Sequence, residues 1–193
     1  MSPGARAPED PSPGARAVSL EELLAAREAR AARQWELLAA LGLPLVSMTL
    51  VWPGARKDSR RLRALMDRAE AELAARLGAA GFRVRARERR DGAAGPWALY
   101  AVEAEAAALK RLAVALEEDE PWGRLLDADV VTADDALALP RPLERAELGL
   151  GGRPCLVCGA PAASCLAERR HARGLAEAAA AALLDRAFPS RQA

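Results

Sequence analysis

The chain is short of histidine, cysteine and aromatic side chains, and each shortage removes a class of chemistry. It has one histidine, His171. A histidine spent on a metal leaves none for a Ser-His-Asp set. Its three cysteines all fall between positions 155 and 165, which is no disulfide framework. Aromatics make up 4% of residues. Much of the 51% hydrophobic content is alanine, so core volume must come from scattered leucines and valines and the four tryptophans. No apolar run approaches the roughly 18 residues that span a bilayer. The N-terminus lacks the apolar h-region of a secretory signal, so a reducing cytoplasm is the expected compartment. Neither sign of charge is in excess: 28 basic against 27 acidic residues leave a net +1. No global field draws the protein to nucleic acid or to an anionic membrane, so any phosphate binding has to be local. The G-x-x-x-x-G-K-[ST] pattern of a nucleotide P-loop is also missing.

What is present fits one domain in 193 residues,. Residues 1–17, rich in proline, glycine, alanine and arginine and carrying PGAR twice, read as a disordered tail. Residues 18–193 are expected to form the single catalytic domain. Ser19 and Glu22 make a capping box, so a helix should run from there to Leu41, stopped by Gly42. On a helical wheel Leu20, Leu23, Leu24, Leu38 and Leu41 share one side with Arg27, Arg30 and Gln34, while Glu21, Glu28 and Glu36 lie opposite. Guanidinium groups in a leucine stripe point toward the rest of the protein, where burial without partners is costly.

Alternation in LPLVSMTLVW predicts a strand with Val46, Met48, Leu50 and Trp52 on one face and Ser47 and Thr49 on the other. A helix follows over 59–77. FRVRARERR reads as a strand with Phe82, Val84 and Ala86 opposite Arg83, Arg85 and Arg87. WALYAVE is another strand, 104–117 a helix, LLDADVV a short strand, and 173–188 a last helix. The expected class is therefore α+β: a ferredoxin-like βαββαβ core, with an added N-terminal helix and a C-terminal Cys/His segment plus helix.

Four local patterns carry chemistry. Asp127 and Asp129 are two apart on a strand and so face the same way, about 7 Å apart. Such a pair either holds a hard cation such as Mg²⁺ together with substrate phosphates, or is a solvated face with an arginine counter-ion. Gly123 and Arg124, just before that strand, are either a phosphate-contacting pair or a turn glycine and a surface arginine. The strand-to-helix loop 53–59 presents free backbone N–H groups, with Lys57 as a phosphate contact and Asp58 as a possible helix cap. Last, Cys155-x2-Cys158-x6-Cys165-x5-His171, within the segment 153–172, suits a closed tetrahedral Zn²⁺ site, structural because no coordination position is left open. The alternative is three small thiols and a surface histidine.

Arg27, Arg30, Arg33 and Gln34 in RxxRxxRQ, the stretch PLVSMTLVWPGARKDS, the stretch GRLLDADV and the tail RPCLVC…C…H occur in an order and spacing that resemble the citrate lyase holo-[acyl-carrier protein] synthase family, over about residues 19–188. The resemblance implies transfer of a phosphoribosyl-dephospho-CoA group from 2'-(5''-triphosphoribosyl)-3'-dephospho-CoA to a serine of the citrate lyase acyl-carrier protein subunit, with loss of pyrophosphate. For that reaction the residues read above supply the parts: Asp127 and Asp129 are expected to hold Mg²⁺, Arg27, Arg30, Arg33, Gln34, Lys57, Ser59 and Gly123 to bind the donor, Arg124 to serve the chemistry, and Asp58 to assist the metal or accept the serine proton. The family usually reads H-P-x-G-R where this chain has Glu120-Pro121-Trp122-Gly123-Arg124, so Glu120 would stand in for a histidine. Competing readings are a non-enzymatic, zinc-stabilised module that binds a carrier protein, and a related transferase serving another carrier.

Overall fold

A computed structural model describes residues 16–134 and 136–188. The tail expected at 1–17 falls outside the described residues up to position 15. Arg16 is described, with its guanidinium on the Glu22 carboxylate.

The first helix, α1 (Leu20–Leu41), starts at the capping box read from the sequence. The Ser19 hydroxyl accepts the Glu22 N–H at 3.1 Å and the Glu22 carboxylate accepts the Ser19 N–H at 2.9 Å, so two otherwise orphaned donors are satisfied. It ends at Gly42, whose φ of 63° is left-handed and needs no Cβ. Then follow β1 (Leu45–Leu50), α2 (Arg60–Ala79), β2 (Arg83–Arg90), β3 (Trp97–Glu103), α3 (Ala106–Asp119), a 3-10 turn at Gly123–Leu125, β4 (Leu126–Asp134), β5 (Leu139–Pro142), a second 3-10 turn at Arg145–Leu148, α4 (Ala162–Ala167) and α5 (Arg173–Ala187).

The strands form one five-stranded sheet in the order β2-β3-β1-β4-β5, antiparallel throughout. Mixed helices with an antiparallel sheet make this an α+β protein. One face carries the main core: Val46, Met48, Tyr100, Ala128 and Val130 meet α2, α3 and α5. On the other face Leu45, Leu99, Ala101 and Val131 meet only Leu37 and Leu38 of α1. The N-terminal two-thirds of α1 is therefore not spent on core packing and is free to overhang the polar part of the sheet.

Three expectations need correction. The leucine stripe of α1 is not continuous: Leu20 is 72% and Leu24 48% exposed, because this end of the helix lies beside the loop after β1, where the Val18 N–H bonds the Ala55 carbonyl at 3.0 Å, away from the apolar part of the sheet. The arginines of β2 do not share one face. A register shift between Val84 and Ala86 inserts one residue and flips the alternation. Arg87 and Arg89 consequently turn toward α2, where both bond the buried Glu70 carboxylate, and Ala86 turns toward α1. Finally, the sheet has a strand the periodicity did not show. LPRP contains two prolines and still pairs with β4, which an edge strand permits.

β5 pairs with β4 only from Val131 to Asp134. The stretch Leu126–Val130 thus has a free edge, closed by side chains and one loop amide. The Glu117 carboxylate accepts the Ala128 N–H at 2.7 Å, the Leu126 carbonyl accepts from the Arg153 guanidinium, and the Val130 carbonyl accepts the Leu143 N–H at 2.8 Å. This partly unpaired stretch of β4 carries the two aspartates.

Candidate active site

The β1–β4 register sets Ser47 opposite Asp129 and Thr49 opposite Asp127. All four lie on the sheet face that α1 crosses. Gln34 is buried there and donates to the Ser47 hydroxyl at 2.8 Å. One turn earlier along α1, Arg30 reaches the same space, and Arg27 follows it. A cavity of about 300 Å³ opens between α1, the loop after β1 and the β2–β3 turn, lined by Arg27, Arg30, Thr49, Trp52, Lys57 and Asp127 among others. An adjoining one of about 180 Å³ shares Arg27, Arg30, Thr49 and Asp127 and adds Gln34, Ser47 and Asp129.

Charge in this cleft is unevenly matched. Burial holds the Arg30 guanidinium below the usual arginine range, with Arg27 acting the same way against the pull of Asp127 and Asp129. Among the described residues neither Arg27 nor Arg30 makes an ion pair or a side-chain hydrogen bond, although both line the two cavities. Lys57 donates to the Trp52 carbonyl. Burial lowers its ammonium's pKa, helped by Arg173 and Arg27. Three cations without carboxylate partners in a partly desolvated cleft form an anion-accepting surface.

The floor of the cleft is acidic. Burial pushes the Asp127 carboxyl up, Asp129 adds to it, and Arg153 and Lys110 oppose it. Asp127 accepts one bond from the Arg153 guanidinium and a longer one, 3.4 Å, from the Thr49 hydroxyl. Asp129 accepts Lys110 at 3.1 Å. Beyond the free edge of β4 lies a third cavity of about 410 Å³, lined by Lys110, Glu117, Arg145 and Arg153 together with both aspartates. Asp127 therefore stands in the wall of all three spaces.

Several residues expected at the site stand elsewhere. Arg33 points away from the cleft to Glu36 and Glu88. Asp58 is buried against Arg63 at 2.5 Å. Ser59 caps α2, accepting the Leu62 N–H at 3.2 Å. Glu120 bonds Arg76 of α2 in the helix layer. A Cβ at Gly123 would lie 2.3 Å from the Glu117 carbonyl oxygen, so this glycine permits the turn to pack on α3. Arg124 donates to the Leu156 carbonyl in the cysteine segment. Arg27, Arg30, Gln34, Lys57, Asp127 and Asp129 are brought together.

Sequence reasoning passed over Arg153 and Lys110. One signal was available for the second: the chain has only two lysines, Lys57 and Lys110, and both end at this site. Arg153 opened the RPCLVC tail motif but was given no role of its own there.

The cysteine segment folds as the ligand spacing suggested. The ligand atoms of Cys155, Cys158, Cys165 and His171 all lie within 4.8 Å of one another. Cys158 Sγ is 3.5 Å from Cys165 Sγ and 3.2 Å from His171 Nε2. Tetrahedral zinc with Zn–S near 2.3 Å needs sulfur atoms about 3.8 Å apart, so the four groups can hold a metal ion of that size. The Val157 N–H points at Cys155 Sγ, 3.5 Å away, as suits a thiolate ligand.

Fold and cleft define an α+β protein with an anion-accepting surface over a carboxylate pair, and a separate four-ligand Cys/His cluster. The chain belongs to the apo-citrate lyase phosphoribosyl-dephospho-CoA transferase family, whose model matches residues 18–186. A protein of that name from Citrobacter koseri is 39% identical over 81% of this chain and 82% of its own length. One from Escherichia coli is 36% identical over 80% of this chain and 82% of its own. Among the described residues no helix is long and apolar enough to cross a membrane.

Proposed function

We propose that the protein transfers the phosphoribosyl-dephospho-CoA group of triphosphoribosyl-dephospho-CoA to a serine hydroxyl on the acyl-carrier protein subunit of citrate lyase. The serine oxygen attacks the α-phosphorus and the bond from that phosphorus to the α,β-bridging oxygen breaks. Pyrophosphate leaves with the bonding pair, the hydroxyl loses its proton, and a phosphodiester remains. This is nucleotidyltransferase-type phosphoryl transfer, in which positioning and charge stabilisation carry most of the rate.

The observation that carries the reading is a pair of guanidinium groups, Arg27 and Arg30, without partners among the described residues and facing Asp127 and Asp129 across one cleft. A triphosphate supplies the anions those groups lack. Lys57 extends the cationic surface toward Trp52. Asp127 and Asp129 would hold Mg²⁺ brought in with the phosphates, which suits a cation that binds through one or two carboxylates plus substrate oxygens. When bound, Mg²⁺ supplies charge stabilisation on the departing pyrophosphate. Arg153 and Lys110 keep the two acids in place meanwhile. The Cys/His cluster would hold structural Zn²⁺. A ferredoxin-like core is the fold reading, supported by β4 beside β1 and β2 at the far edge. Residues 18–193 would act as one catalytic domain in the cytoplasm.

The test incubates purified protein with apo-carrier, donor and Mg²⁺ and follows the carrier's mass. The reading expects the carrier to gain one phosphoribosyl-dephospho-CoA group. An unchanged mass, with a control transferase active on the same reagents, would overturn it in favour of a carrier-binding module. Folded Asp127→Asn that still transfers at the wild-type rate would remove the metal role from this residue.

A further inference from the structure

Arg153 touches both specialised parts of the molecule. Its side chain reaches Asp127 and the Leu126 carbonyl, and its Nε lies 3.8 Å from the Glu117 carboxylate. Its backbone is the base of the hairpin that carries the cluster. The Arg153 carbonyl accepts the Ala162 N–H at 2.8 Å, Pro154 bridges to Pro161, and the Cys155 N–H bonds the Ala160 carbonyl at 2.7 Å. The hairpin closes at Gly159, whose φ is 75°.

This hairpin has almost no core of its own. From residue 151 to residue 172 the buried positions are Cys155 and Cys165, both ligands of the cluster. Gly151 and Gly152 precede Arg153 and add no packing. Where the fully buried positions of a segment are its ligands, the metal supplies most of its core, and binding free energy is folding free energy. Apart from that metal, the segment is tethered by Arg124 on the Leu156 carbonyl and by the half-buried Leu156 side chain against the main core.

We propose that the metal held by Cys155, Cys158, Cys165 and His171 fixes Arg153 against Asp127, so that Arg153 is a positioning residue of the acidic pair and metal loss unlatches the site. Arg153 holds Asp127 by one N–H and the β4 backbone by the other, so the carboxylate is fixed relative to the strand. Without the metal the hairpin base loosens, the guanidinium leaves, and the free edge of β4 loses a donor. The Glu117 carboxylate that accepts the Ala128 N–H then loses one of its neighbouring cations. The consequence for turnover rests on the transfer reading; the consequence for β4 does not.

The experiment therefore has two arms on the full chain. In the first, amide hydrogen exchange of peptides covering 126–130 is compared for metal-loaded protein, chelator-stripped protein, zinc-reloaded protein and Arg153→Met, each checked for retained far-ultraviolet circular dichroism. Stripping and Arg153→Met should each raise exchange at this edge about tenfold, the signature of local opening. Reloading should reverse the first, and stripping Arg153→Met should add nothing. Unchanged exchange at 126–130 in stripped protein whose 153–165 hairpin has opened would overturn the proposal. So would an equal further rise when Arg153→Met is stripped, or an unfolded wild type beside a Arg153→Met variant with full β4 protection. In the second arm, Arg153→Met should lose about a hundredfold in kcat, the scale of a misplaced catalytic group, with the donor KM nearly unchanged and Arg153→Lys partly restoring the rate. A wild type inactive on every carrier would count against the transfer reading alone, because the exchange arm needs no substrate.

Discussion

The Gln34 side-chain amide donates a 2.8 Å hydrogen bond to the Ser47 hydroxyl, and that bond sets the height of α1 over the sheet. Both groups are buried. Only Leu37 and Leu38 otherwise anchor this helix in a core cluster. Gln34→Leu leaves the Ser47 hydroxyl without its partner, which costs about 1–3 kcal/mol. The expected result is a lower urea midpoint and a raised donor KM, since Arg27 and Arg30 ride on the same helix. A stability loss with unchanged KM would show that the arginines do not depend on this anchor.

Arg30 and Arg33 are three residues apart on α1 and face different surroundings. Arg30 lines the cleft without an ion pair among the described residues. Arg33 is already held by Glu36 at 2.7 Å and Glu88 at 2.6 Å. A charge-assisted bond to phosphate is worth about 1.5–3 kcal/mol, so Arg30→Met should lower kcat/KM for the donor roughly 10- to 100-fold. Arg33→Met should change it less than about twofold, because its guanidinium is taken up by Glu36 and Glu88 and lines neither cavity,. Steady-state kinetics on both variants separate the two. Equal losses would move the donor site toward β2.

Lys57 gives the cleft a pH signature. Its ammonium is held below the ordinary lysine range by burial first, then by Arg173 and Arg27, with Glu177 opposing. In the free enzyme the positive charge is therefore lost, as pH rises, earlier than from an ordinary lysine near 10.4. Because kcat/KM reports the free enzyme, its alkaline limb should fall below that value. Lys57→Arg should abolish the limb. The sign for stability is opposite. Between the folded and unfolded pKa values the folded chain holds fewer protons, so stability rises with pH across that window. A kcat/KM profile flat to the pH where the protein unfolds would exclude Lys57 from donor binding.

The cleft was largely legible in the sequence, because local rules place its parts. The arginines of α1 follow from 3.6-residue periodicity, the face shared by Asp127 and Asp129 from the two-residue repeat, and the cluster from ligand spacing. What stayed hidden depends on events that periodicity does not encode. A single inserted residue in β2 sends Arg87 and Arg89 to the α2 side, where they meet Glu70 and the Tyr100 hydroxyl, itself 2.7 Å from Glu70. Arg153 reaches Asp127 across 26 positions of chain, from a loop whose composition says only that it turns. Residue type left two readings of Gly123 and Arg124 open, a phosphate-contacting pair or a turn glycine and a surface arginine. Their neighbours in the fold are the α3 backbone and the Leu156 carbonyl, which residue type does not encode.

Glu120 tests that distinction directly. It occupies the position where the resemblance drawn from the sequence leads one to expect histidine, and a carboxylate there would repel a triphosphate if it faced one. It does not line the cleft. It ends α3, and its carboxylate accepts Arg76 of α2 at 3.3 Å while Asp119 takes another nitrogen of the same guanidinium at 2.7 Å. Replacing Glu120 with histidine removes the longest of the three ion pairs of Arg76, which also bonds Glu72 and Asp119, so stability should change by less than about 1 kcal/mol. Transfer should stay within about twofold of wild type, since no group in the cleft gains or loses a charge neighbour. Carrier modification by Glu120→His, measured at saturating and limiting donor, checks both kcat and kcat/KM. A gain of tenfold or more in either would mean that this turn approaches the substrate during the reaction, and that the cleft under α1 holds only part of the donor.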